Sequence, residues 1–139
     1  MLHTGQFVAR IIHQQARPLQ RDLFGDRPIA RALAAEHEGV LVGYAITFVS
    51  YSTFKTRRCT FLEDLYVTPA HRGTGLGAAL LRAVAALAAA DGSARLQWNV
   101  LDWNTPAIEF YERLGATVLA DWRVCQVEGE GIARLAAGG

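Results

Sequence analysis

The apolar positions of this chain repeat with two different periods. In residues 6–15, Phe7, Val8, Ile11 and Ile12 recur at helical spacing, and Pro18 interrupts the run. Residues 19–24 predict a short second helix stopped by Gly25 and Pro28. Residues 29–36 and 40–51 then predict a hairpin about a turn at Glu38-Gly39, because the second run is rich in β-branched and aromatic residues. Ser52, Thr53, Lys55, Thr56 and Arg57 gather at the next tip, and residues 58–67 predict the third strand of the meander, ended before Pro69. The helical period returns over 78–90 and closes at Asp91-Gly92. Residues 95–100 predict a short strand. Asn104 is placed to cap a helix with Pro106 in its first turn and with Ile108, Tyr111 and Leu114 along one face. Residues 124–135 predict one or two more strands around Gly129 and Gly131. This order predicts a single mixed α/β (α+β) layer over residues 1–139, with helices on both faces of the sheet.

Composition narrows the function classes. A chain of 139 residues, 51% hydrophobic and 19% charged, is globular and long enough for one well-filled core. A formal net charge of +1 gives no broad basic face for nucleic acid. The 78–90 run is too short to span a bilayer and contains Arg82, and the first residues do not read as a signal peptide, so a cytoplasmic location without membrane insertion is expected. Cys59 and Cys125 lack Cys-x-x-Cys spacing and read as free thiols. His3, His13, His37 and His71 lack metal-ligand spacing, so no metal site is expected.

The stretch Arg72-Gly73-Thr74-Gly75-Leu76-Gly77 lies between the third strand and the long helix. Glycines let other groups approach the backbone, and a helix N-terminus carries roughly +0.5 of a charge. Such a turn suits a phosphate or pyrophosphate, with Arg72 adding a charge at its entrance. The plainer alternative is a surface turn that starts a helix. The spacing is neither the Walker pattern nor the dinucleotide fingerprint.

Two motifs together resemble the GNAT superfamily of N-acetyltransferases. The first is the acyl-CoA motif Gln/Arg-x-x-Gly-x-Gly/Ala after a strand, standing here as Arg72 to Gly77. The second is an Asn followed by a helix ending Phe-Tyr-x-x-x-Gly-Ala, standing here as Asn104, Phe110-Tyr111, Gly115 and Ala116. Within the superfamily the chain looks most like the diamine (spermidine/spermine-type) and thialysine acetyltransferases, through residues 61–67, Trp103-Asn104 and Asp121-Trp122-Arg123. The resemblance implies a mostly antiparallel sheet splayed in its middle. The family's first N-terminal strand has no match here.

The resemblance also implies a site. Leu65, Tyr66 and Val67, the turn from Arg72 through Gly73, Thr74, Gly75, Leu76 and Gly77 to Ala78, and Asn104, Thr105, Pro106, Ala107 and Tyr111 would bind acetyl-CoA. Tyr111 would be the general acid for the departing thiolate and Glu63 the general base. Glu63, Asp64, Gln97, Trp98 and Asn99 would face the amine substrate, and the Val67 N–H would polarise the thioester carbonyl. The expected activity is acetylation of a small-molecule primary amine by direct attack. The alternatives are a non-catalytic acyl-CoA-binding domain and a protein acetyltransferase. A homodimer is expected, because related enzymes build pockets at subunit contacts and an open sheet edge invites pairing.

Overall fold

In the computed structural model, residues 2–3 and 16–138 are described. The helix expected over 6–15 lies outside the described residues. The chain divides into two compact units, Met1–Asn99 and Val100–Gly139.

The first unit is a sheet with a helix on each face. Its elements run β1 (Leu2–His3), α1 (Ala16–Phe24), β2 (Arg31–His37), β3 (Val40–Ser52), β4 (Arg57–Val67), a 3₁₀ turn (Pro69–His71), α2 (Leu76–Ala90) and β5 (Leu96–Gln97). The strands lie in sequence order; β1 to β4 are antiparallel, and β5 joins β4 in parallel. A two-residue pairing of Leu2 and His3 with Ala35 and Ala34 stands where the family's first strand was expected to be missing. The predicted hairpin forms, with Glu38 and Gly39 both at positive φ in its turn.

Alternation along the strands assigns the two faces. Tyr44 and Ile46 pack with Ala32 and with Leu23 of α1, and Leu19, Ala30 and Tyr66 lie against that cluster. Gly43 points the other way. A Cβ placed there would come within 3.1 Å of Leu80 Cδ1 and 3.6 Å of Leu76 Cδ2, both in α2. The two helices therefore cover opposite faces. On the α2 side, Leu80 and Val84 are fully buried. At the far end of α2, Asp91 pairs with Arg31 and lies 4.0 Å from Arg58, which fastens the helix terminus to the starts of β2 and β4. The Arg31 hydrogen bond is the main cause that lowers the Asp91 pKa.

Two expectations need correction. The strand over 95–100 shrinks to Leu96–Gln97, because its partner β4 bulges beyond Phe61 and the ladder does not continue. The second unit has no strand over 124–135. It holds α3 (Thr105–Arg113) and α4 (Glu130–Ala136) as its helices, with irregular chain between them. Ile132 and Leu135 are three apart, and Glu130 reaches Arg134 at 3.8 Å across one turn, so the local spacing is helical. The glycines of this tail do not end strands: Gly129 opens the helix at φ 53° and Gly131 lies inside it.

Candidate functional site

In the first unit, strand β4 presents an unpaired edge. Ile46 pairs with Asp64 and Thr47 with Leu62, so Glu63 is an extra residue, a β-bulge. The bulge leaves Glu63 exposed. Asp64 lies on the face of Ile46 and Tyr44; burial, then its charge, raises the Tyr44 pKa. The Thr68 N–H donates to the Val42 carbonyl at 2.9 Å. Antiparallel strands alternate the direction of their bonds, so Val67 and Leu65 present their N–H and C=O groups at the opposite edge. Among the described residues, β5 meets that edge only at Thr60 and Phe61. The β4–β5 ladder thus ends at the Phe61–Gln97 pair, and Leu65 and Val67 lie on the part of the β4 edge beyond it.

The turn after β4 is held by its own side chains. Thr68 Oγ1 and His71 Nδ1 are 3.0 Å apart, and Thr74 Oγ1 donates to the His71 carbonyl. The His71 ring meets the edge of His37 at 5.8 Å between centroids. Gly73 (φ 74°) and Gly75 (φ 88°) take conformations that strain any side chain. A Cβ at either position would meet nothing within 4 Å, so the space above them is open. Gly75 is the N-cap of α2 and supplies no side-chain cap. The first N–H groups of the helix, at Leu76, Gly77 and Ala78, are therefore left to an external acceptor. An open, glycine-lined helix start fits the diphosphate of coenzyme A. Arg72 is turned back onto the strand: its Nε donates to the Val67 carbonyl at 3.1 Å, and its guanidinium lies 5.9 Å from the Tyr66 ring centroid.

In the second unit, Asn104 Oδ1 accepts the Ala107 N–H at 3.4 Å and caps α3, with Thr105 and Pro106 opening the helix. Tyr111 is half-buried beside Phe110, with ring centroids 5.3 Å apart. Burial raises its pKa, so the phenol keeps its proton through the neutral range.

The first unit thus brings Glu63, Asp64, Leu65, Tyr66, Val67 and residues 72–78 onto one strand and the turn that follows it. Gln97, Trp98 and Asn99 follow in β5 and just beyond. Asn104 to Ala107 and Tyr111 belong to the second unit, where the Asn104 cap forms as predicted. Sequence reading missed Thr68, His71 and Thr74 as the residues that shape the turn. Thr-Pro before a glycine run was the available signal, since Thr and Pro both favour tight local turns. It also missed Gly43, whose place opposite Val67 depends on strand register.

Comparison with known proteins agrees with this geometry. The model of the "Acetyltransferase (GNAT) family" matches residues 4–116. A thialysine N-epsilon-acetyltransferase of Bos taurus is 38% identical, over 85% of this chain and 75% of the relative. An L-ornithine N5-acetyltransferase of Arabidopsis thaliana is also 38% identical, over 67% of this chain and 41% of the relative. Among solved structures, an integron cassette protein from the mobile metagenome of V. cholerae superposes with a TM-score of 0.78 at 22% identity, covering 98% of this chain and 96% of that one.

Proposed function

We propose that this chain, which belongs to the acetyltransferase (GNAT) family and is an N-acetyltransferase, moves the acetyl group of acetyl-CoA to a primary amine of a small molecule. The two units make one acetyltransferase domain in this reading, working as a homodimer. The observation that carries it is the uncapped, glycine-lined start of α2 directly after the open edge of β4. The relatives named for thialysine and L-ornithine support an amino-acid-like amine as substrate. No helix among the described residues is long and apolar enough to cross a membrane.

Bound acetyl-CoA supplies an activated acyl carbon; the amine forms a C–N bond to it, the C–S bond breaks, and a thiolate leaves. The chain's residues handle binding, charge and protons. The N–H groups from Gly73 to Ala78 hold the diphosphate, and the Asn104 helix start supports the pantetheine arm. The Val67 N–H donates to the thioester oxygen as negative charge grows there. An alkyl amine is protonated at pH 7 in all but about one molecule in 2,500, a gap of about 4.6 kcal/mol. Glu63, exposed at the bulge, takes the amine's proton through water. Tyr111 gives its proton to the thiolate and is reprotonated from solvent; burial keeps the phenol in its protonated form at neutral pH, ready to donate. Asp64, Gln97, Trp98 and Asn99 hold the amine. Cys59 is buried at the start of β4 and forms no acyl-enzyme in this scheme.

Thiol release from acetyl-CoA over a panel of diamines and basic amino acids tests the proposal. Amine-dependent release without a burst is expected. Coenzyme A binding with no turnover on any amine would favour a non-catalytic acyl-CoA-binding domain instead.

A further inference from the structure

Arg72 opens the glycine turn, yet its side chain lies on β4. Its Nε donates to the Val67 carbonyl, and its guanidinium covers the Tyr66 ring. A residue in an antiparallel strand presents its N–H and C=O at the same edge. Arg72 therefore occupies the acceptor of the very residue whose N–H stands ready as a donor. We propose that Arg72 is a positioning residue for acyl transfer, acting through the Val67 peptide groups rather than on the diphosphate. This rests on the proposed role of the Val67 N–H.

The physical case has three parts. A bare carbonyl beside growing negative charge on the thioester oxygen repels it and recruits water. A guanidinium bonded to that carbonyl cancels the repulsion through a charge-assisted bond and adds a positive charge nearby. The same carbonyl belongs to the peptide group whose N–H, on Thr68, donates to the Val42 carbonyl. Arg72, that peptide and β3 thus form one polarised chain, which fixes the end of β4. The Tyr66 ring beneath the guanidinium holds it in place. Lysine cannot replace it, because its single ammonium lacks the planar fork that reaches the carbonyl and stacks on the ring together.

The test compares Arg72→Met and Arg72→Lys with wild type on two donors, acetyl-CoA and S-acetylpantetheine, which has no diphosphate. Calorimetry with coenzyme A and the amide resonance of Val67 are read alongside, and thermal melts confirm folding. Losing an oxyanion donor outright costs about 100-fold or more, so losing its support is expected to cost about tenfold in kcat. The inference expects that loss with both donors and in both variants. It also expects a coenzyme A Kd within about twofold of wild type and a shifted Val67 amide without ligand, since no phosphate contact is removed. A Kd weakened about tenfold, with the rate penalty vanishing on S-acetylpantetheine, would place Arg72 on the diphosphate and overturn the inference. So would unchanged rates with an unmoved Val67 amide. Should Arg72→Met fail to fold, Arg72→Lys alone decides between these outcomes. Wild-type protein that neither binds coenzyme A nor releases thiol would instead sink the functional reading itself.

Discussion

Tyr111 is a phenol whose burial alone raises its pKa. The sign follows directly: the neutral form is favoured, so the donor persists below its ordinary value of about 10 and is lost only as pH climbs through the raised one. The rate should therefore show no falling limb from Tyr111 up to about pH 9.5, and Tyr111→Phe should cut kcat by about 100-fold with coenzyme A affinity nearly kept. A falling limb near pH 8 that disappears in Tyr111→Phe would remove the assignment. Glu63→Gln should lower kcat most at neutral pH, where the amine must lose its proton, and least at about pH 10. Equal losses at both pH values would deny it the role of base. Asp91 titrates with the opposite sign. Its pKa lies below the ordinary 3.8, first because of the Arg31 hydrogen bond. The ion pair therefore stabilises the fold above that ordinary value and loses its effect as pH falls through the depressed one. The difference in Tm between wild type and Asp91→Asn should hold from pH 7 to about 4 and then close. A difference that grows in acid would contradict this.

At the scale of elements, the meander and the long helix were legible because their patterns are dense. β3 is a run of β-branched and aromatic residues, and its turn is marked by Glu38-Gly39. The bulge at Glu63 was not legible, since it comes from which residues pair across β3 and β4. The tail was misread because glycines punctuate strands and helix starts alike; here Gly129 opens a helix, across one turn of which Glu130 reaches Arg134. Register also explains Gly43. A Cβ there would come within 2.8 Å of the Tyr66 carbonyl oxygen. Gly43→Ala should destabilise by about 1–3 kcal/mol through overpacking, and should displace the strand end that carries Val67. An unchanged melt would show that the contact is easily relieved. Leu80→Ala, at a fully buried position under the same strands, should cost about 2–5 kcal/mol.

For the whole molecule, the motif pair Arg72–Gly77 and Asn104–Ala116 already pointed to the family that the matched residues 4–116 establish. The amine was not legible, because the residues proposed to hold it lie on separate elements. Trp122, Val124 and Leu135 are respectively 75%, 70% and 66% exposed, apolar side chains that the proposed homodimer could cover. Light scattering should give twice the chain mass. The most direct test of the account is an amide NMR titration with coenzyme A. The account predicts the largest shifts at 65–67 and 73–78, at the strand edge and helix start proposed to grip the ligand. Shifts centred elsewhere, or none at saturating ligand, would contradict it.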